Sequence, residues 1–292
     1  MKLVTFSHAQ QTRVGAVVDD VVVDSVGHAG IPASMLEFLS AGDEALAAMR
    51  LAIAQKQGRI PLSQVTLLAP IPRPGKLLGI GLNYVEHIDE TGHDKPEYPL
   101  FFTKQSTCVI GPQAAIHIPK VSDKVDYEGE LAMVIGRRCR HVAVADAPQV
   151  IAGYTIVNDV TVRDWQNRSP TWTLGKSFDT HGPMGPWIVT ADEIADPHNL
   201  QLQTWVNDEL RQNASTAQML FSCYDMIAYL SQALTLEPGD VISTGTPSGV
   251  GVKMKPRGYL VAGQTVTIRI EGIGALTNSV LAEPEHFCVA AP

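Results

Sequence analysis

The stretch Tyr127-Glu128-Gly129-Glu130-Leu131-Ala132-Met133-Val134-Ile135 places two carboxylates, two residues apart, at the mouth of an apolar strand. A strand's period of two points Glu128 and Glu130 to the same face. Like charges held there repel one another unless a cation sits between them. Hard oxygen ligands of this kind suit Mg²⁺, Mn²⁺ or Ca²⁺ rather than zinc. On its own, E-x-E is more often a solvated strand face than a metal site.

Working outward, the downstream string Asn158-Asp159-Val160-Thr161 closes the apolar run 151–157. A third carboxylate at a strand end would complete a facial set with Glu128 and Glu130 and leave coordination positions open. Further short β-rich runs fall at 76–82, 131–135, 154–157, 187–190, 202–206, 240–243 and 265–270, separated by Gly, Pro, Asn and Asp. They lack the regular strand–helix alternation of a doubly wound fold. The expected class is therefore mainly β with a few helices (α+β). One amphipathic helix is expected to begin at a Ser215/Gln218 capping box and to carry an apolar stripe from Met219 to Leu234.

Residues 2–25 read as a hairpin or small meander with turns at 10–12 and 19–20, and residues 35–57 as helix with a break at Ala41-Gly42. Pro61, Pro70, Pro72 and Pro74-Gly75 then interrupt any regular element. A boundary near residue 70 divides the chain into a small N-terminal α+β unit, 1–70, and a catalytic unit, 71–292. The last residues, 285–292, read as a frayed tail.

The 292 residues carry a net charge of −8, from Lys+Arg 22 against Asp+Glu 30, which argues against a nucleic-acid partner. The 24 Gly and 19 Pro exclude a coiled coil. No segment approaches the ~18 uninterrupted apolar residues of a membrane span, and the opening MKLVTFSHAQQTRVG lacks a signal-peptide core. Cys108, Cys139, Cys223 and Cys288 form neither a C-x-x-C nor a dense framework. These features lead to the expectation of a reduced, cytoplasmic protein.

Four further strings carry candidate chemistry. In 79–90, His87 and Glu90 are spaced i,i+3, so on a helical turn the carboxylate would orient the imidazole and raise its basicity. In 173–179, Lys176 lies between a glycine and an aromatic, where partial burial would aim its ammonium at an anion. The glycine-rich turn 244–251 offers backbone N–H groups and hydroxyls to a carboxylate, although it lacks the lysine of a P-loop. Residues 99–104 read as a strand ending at Lys104.

Taken in order, these strings resemble the fumarylacetoacetate hydrolase family over about residues 72–283: Gly81-Leu82-Asn83-Tyr84 with His87 and Glu90, Phe101-Phe102-Thr103-Lys104, Asp126-Tyr127-Glu128-Gly129-Glu130-Leu131, Asn158-Asp159-Val160-Thr161 with Arg163-Asp164 and Gln166, Gly175-Lys176-Ser177-Phe178-Asp179, and 245–251. The resemblance implies a folded mixed β-sandwich or roll, usually homodimeric. It implies Mg²⁺ or Mn²⁺ on Glu128, Glu130 and Asp159 and an acid–base dyad, His87 and Glu90, on a lid. Lys176 would face the substrate, and Lys104, Gln166 and Thr246 would help to bind it. The wording of the motifs is similar to the acylpyruvase and diketo-sugar-acid hydrolase branch.

The activity so implied is hydrolysis of a C–C bond in a 2,4-dioxo acid, an acylpyruvate or diketo-deoxy sugar acid, through a metal-held pyruvate enolate. Oxaloacetate decarboxylation and isomerisation or decarboxylation of a hydroxymuconate-type dioate share that enolate, so the motifs leave them open. A catalytically silent β-protein is the reading from another class, and it predicts no stabilisation by Mg²⁺.

Overall fold

The computed structural model describes residues 1–56 and 58–285. The expected tail beyond Glu285, Cys288 and the end of the expected helix at Gln57 lie outside the described residues. The chain is mostly strand, arranged in mixed sheets with a few short helices. The largest sheet orders its strands as Arg59–Pro61, Val21–Asp24, Gln11–Val18, Lys2–His8, Gly182–Thr190, Ile151–Asn158, Gly129–Ile135, Val241–Ser243, Leu77–Gly81 and Leu100–Lys104. Residues 2–24 thus form the expected meander. Its first strand pairs antiparallel with Gly182–Thr190, Lys2 opposite Val189, so one sheet runs from the N-terminal segment into the rest of the chain.

The strand Gly129–Ile135 lies in the interior of this sheet and is buried along its whole length. Alternate residues feed two different cores. Leu131, Met133 and Ile135 pack with the second, five-stranded sheet, Glu209–Ser215, Gln201–Val206, Thr265–Ile270, Gly274–Ala282 and Ile116–Ile118. Ala132 and Val134 pack with Leu3, Phe38, Leu39 and Met49 of the N-terminal segment. Covering both faces explains the uninterrupted apolar run, since neither face can be left polar.

Helix α1, Met35–Ala41, starts at a Ser34/Glu37 capping box, and α2, Asp43–Gln55, follows at once. The break falls at Gly42 with φ +57°, a backbone region that favours glycine, so the expected break is found where Ala41-Gly42 placed it. Helix α3 is Val85–Thr91 and α4 the single turn Arg163–Gln166.

The expected helix from Ser215 is corrected by the structure. Ser215 caps only a 3₁₀ turn, Thr216–Gln218, and helix α5 is Cys223–Ala233, opened by a second capping box, Ser222 with Asp225. Residues between them are kept out of helix because Leu220 N–H donates to the Asn83 carbonyl at 2.7 Å and Phe221 N–H to Asn83 Oδ1 at 2.9 Å. Among the described residues no helix is long and apolar enough to cross a membrane.

Candidate active site

The two carboxylates of the opening strand are separated by Gly129, and the fold explains the glycine. A Cβ there would lie 2.3 Å from Thr204 Oγ1 and 3.2 Å from Gln212 Oε1, because the second sheet packs directly on this residue. Gln212 Oε1 accepts the Gly129 N–H at 3.0 Å, and its Nε2 donates to Thr246 Oγ1 at 2.8 Å. The tight approach fixes Glu128 and Glu130 on either side.

Asp159 is brought beside them by the antiparallel pairing of Gly129–Ile135 with Ile151–Asn158, with Gly129 opposite Asn158. Asp159 N–H donates to the Glu128 carbonyl at 2.9 Å, and Glu128 N–H to Asn158 Oδ1 at 3.1 Å. One carboxylate oxygen from each of Glu128, Glu130 and Asp159 lies within 4.8 Å of the others, and all three residues are buried. Sequence separation is therefore no obstacle to the facial set.

Three cations surround this cluster. Lys176 Nζ lies 2.6 Å from both Glu128 Oε2 and Asp159 Oδ2. Lys104 Nζ lies 2.7 Å from Asp159 Oδ1, and Arg163 lies 2.7 Å from Glu128 Oε1 while also pairing with Asp126 at 2.8 Å. Among the described residues Glu130 makes no ion pair. Its Oε2 accepts from Ser243 Oγ and, at 2.9 Å, from Gly245 N–H.

The electrostatics divide accordingly. Burial opposes ionisation of Glu128, but Lys176 and Arg163 overcome it and bring its pKa down to about 2. Glu130 is pushed well above the ordinary carboxylate range, first by burial, then by the charges of Asp159 and Glu128. A group pushed up by neighbouring anions gains most from an added cation. Hard oxygen donors, close and deeply buried, with one carboxylate in no ion pair among the described residues, fit a hard divalent cation.

Above the cluster lies a cavity of about 400 Å³, lined among others by Glu128, Glu130, Arg163, Gln166, Lys176 and His87. His87 sits on α3, whose C-terminus is closed by Gly92 with φ +73°. Its Nδ1 is 3.1 Å from Glu90 Oε2, and Glu90 Oε1 accepts the Gly249 N–H at 3.1 Å. The i,i+3 pair of the sequence reading is thus formed and anchored to the glycine-rich turn. That turn does hold carboxylates, and they are the protein's own: Glu130 at Gly245, Glu90 at Gly249, and Asp126 at Gly251 and Val252.

Gln166 reaches the cavity from α4, with its Oε1 accepting from Arg163 at 3.1 Å. The close fit depends on Gly175, where a Cβ would stand 2.2 Å from the Gln166 backbone nitrogen. Thr246 also lines the cavity, but its hydroxyl already donates to the Gly129 carbonyl at 3.0 Å and accepts from Gln212. Lys104 lies elsewhere. Its ammonium is fully buried behind Asp159 and spent on Asp159 and the carbonyls of Val160 and Lys176, so it does not border the cavity. Sequence reasoning gave no role to Arg163, Asp126, Asn158 or Ser243. Arg163 and Asp126 stood inside quoted motifs, while Ser243 ends a plain apolar strand and carries no local signal.

A buried acidic triad, set in mixed sheets, thus lies under a cavity lined by His87, whose imidazole is held by Glu90. The family follows from comparison. Residues 76–281 match the model of the fumarylacetoacetate (FAA) hydrolase C-terminal domain, and the chain belongs to that family. The mitochondrial oxaloacetate tautomerase Fahd2a of Rattus norvegicus is 43% identical over 287 residues, covering 96% of this chain and 92% of that protein. A fumarylacetoacetate hydrolase from psychrophilic Exiguobacterium antarcticum superposes with a TM-score of 0.86 at 37% identity, covering 97% of this chain and 100% of its own. Maleylpyruvate hydrolase from Sphingobium sp. SYK-6, solved with manganese(II) and pyruvate, superposes with a TM-score of 0.83 at 33% identity, with the same coverage.

Proposed function

We propose that this enzyme binds a 2-oxo acid at the acidic triad and moves a proton at the neighbouring carbon, with keto–enol tautomerisation of oxaloacetate as its reaction. The observation that carries the reading is the placement of Glu128, Glu130 and His87 on the wall of one cavity, with Asp159 within 4.8 Å of the two carboxylates. The similarity to Fahd2a favours this substrate over the other 2-oxo acids.

Glu128, Glu130 and Asp159 would hold Mg²⁺ or Mn²⁺, which supplies positive charge against the oxygen of an enolate. The chain's own residues do the rest. With Nδ1–H donated to Glu90, His87 keeps a lone pair on Nε2 for removing or returning the proton at the carbon beside the oxo group. Such a positioned base contributes a factor of about 10²–10⁴. Lys176 bridges Glu128 and Asp159 at the floor of the same cavity. Gln166 would orient the substrate carboxylate through its amide N–H, Thr246 would offer it a backbone N–H because its hydroxyl is spent on Gly129, and Lys104 positions Asp159 from behind.

Hydrolysis of a C–C bond in a 2,4-dioxo acid is the second reading, favoured by the likeness to a maleylpyruvate hydrolase that holds manganese and pyruvate. It needs the same enolate and a water at the distal carbonyl, which His87 would activate. We also propose a cytoplasmic homodimer, with 1–70 an accessory unit and 71–292 the catalytic one. The free thiols of Cys108, Cys139 and Cys223 agree with a reducing compartment. Tyr98, Phe101 and Tyr229, exposed near the sheet edge at Leu100–Lys104, offer an apolar contact to a second copy.

The test supplies Mg²⁺ or Mn²⁺ and follows two signals. Faster loss of the oxaloacetate enol absorbance without pyruvate release supports tautomerisation. Pyruvate released from an acylpyruvate supports hydrolysis, and neither signal above the His87→Ala background contradicts both.

A further inference from the structure

We propose that Lys253 and Arg257 are specificity-determining residues that hold the far carboxylate of a dianionic 2-oxo acid. The inference rests on the acidic triad being the holder of the substrate's near end. Both side chains line the same cavity as Glu128 and Glu130. They come from the 3₁₀ turn Gly251–Lys253 and the loop that follows it.

The cations around the cavity differ in whether their charge is already spent. Arg163 and Lys176 also line the cavity, but each is ion-paired at 2.6–2.8 Å with buried carboxylates. Their charge goes to holding the acid cluster together. Lys253 and Arg257 make no ion pair among the described residues. Lys253 Nζ donates to the Thr91 carbonyl at 3.2 Å, and Arg257 donates to the Val252 carbonyl at 2.6 Å and to Tyr259 Oη at 3.4 Å. Neutral carbonyls satisfy donors without neutralising them. Two unspent positive charges therefore face a cavity whose other cations are committed, in a protein of net charge −8.

Their backbone is also fixed relative to the triad. Asp126 accepts from Gly251 N–H at 2.8 Å and Val252 N–H at 2.9 Å, and the same carboxylate pairs with Arg163, which in turn pairs with Glu128. Gly258 N–H closes the loop on the Gly251 carbonyl at 2.9 Å. Anchoring of this kind gives a defined span between the two ends of a ligand. Lys253 also touches Thr91, the last residue of the helix bearing His87, so a far carboxylate held there would lie beside that helix. Lys255 shares the loop and is exposed but does not line the cavity, which makes it the control.

The experiment compares two unreactive acids of equal chain length, 2-oxoglutarate and 2-oxopentanoate, which differ only in the terminal carboxylate. Binding is measured calorimetrically in the presence of Mn²⁺. Each rim charge contributes about twofold to fivefold, so the wild type should prefer the diacid by roughly tenfold. Lys253→Gln/Arg257→Gln should reduce the preference to within about twofold, with 2-oxopentanoate affinity unchanged, and Lys255→Gln should keep it. A wild type without preference, a double variant that retains it, or an equal loss in Lys255→Gln overturns the proposal. Glu130→Gln separates the two claims. If it binds both acids weakly, the near-end reading stands; if it binds both as the wild type does, that reading fails while the diacid preference still decides the far end.

Discussion

Replacing Lys176 with Met isolates the electrostatic logic of the acid cluster. The substitution keeps the volume but removes an ammonium lying 2.6 Å from both Glu128 and Asp159, in a position 2% exposed. Two carboxylates whose oxygens lie within 4.8 Å of each other then repel by an amount on the order of 3 kcal/mol at an effective dielectric of about 20. Breaking a buried pair by removing one partner costs about 3–5 kcal/mol. For a chain of this size that corresponds to a fall in Tm of roughly 6–12 °C. The loss should shrink in acid. Glu128 has a folded pKa lowered from 4.5 to about 2, so its ion pair stabilises above pH 4.5 and is lost as pH falls toward 2. Urea unfolding of both proteins at pH 7 and pH 4 measures this directly. A variant within about 0.5 kcal/mol of wild type at pH 7, the usual span of a neutral surface change, would refute the reasoning.

Gly129→Ala should destabilise by about 1–3 kcal/mol through overpacking, since its Cβ would stand 2.3 Å from Thr204 Oγ1, and adding Thr204→Ala should recover part of the loss in a denaturant double-mutant cycle. His181 donates Nε2–H to the His117 carbonyl at 2.8 Å, and its buried Nδ1 has no hydrogen-bond partner among the described residues; burial first, then the charge of Lys104, lowers its pKa to about 3. A folded pKa below the unfolded value means stability present above pH 6.5 and lost as pH falls toward 3, so wild type should lose about 2 kcal/mol more than His181→Gln between pH 6.5 and 5. His87→Ala should abolish turnover while leaving Mn²⁺ affinity within about twofold; an unchanged kcat would exclude it as the base. Leu131→Ala, removing a fully buried side chain of the central strand, should cost about 2–5 kcal/mol in the same unfolding assay.

The central strand was legible because both its faces are buried, which leaves an apolar run that needs no partner to be recognised. The strands 201–206 and 265–270 were readable for a different reason, since buried residues alternate with more exposed ones along each. Glu209–Ser215 was not, since Glu-Leu-Arg-Gln-Asn-Ala-Ser is polar and becomes a strand only by pairing with Gln201–Val206. The misplaced start of α5 has the same origin. Two capping boxes compete seven residues apart, and the choice falls to Asn83, a distant residue whose bonds to Leu220 and Phe221 keep the intervening segment out of helix. At the site, carboxylates and the His–Glu spacing were visible as local patterns. Their counter-ions were not, because the pairing of Arg163 with Asp126 and of Lys104 with Asp159 is made by tertiary packing alone. Reading the carboxylates as needing a metal for stability thus omitted the three cations the fold itself supplies.

The most direct measurement titrates Mn²⁺ into wild type and Glu130→Gln and follows the loss of the free-ion electron paramagnetic resonance signal. Glu130 is the carboxylate of the triad without a cation partner among the described residues, so its oxygen is the one a divalent ion should claim most strongly. The account predicts one Mn²⁺ bound per wild-type chain and an affinity reduced by more than about tenfold in Glu130→Gln, exceeding the smallest losses seen when only an outer partner is removed. Equal binding by the two proteins would contradict it.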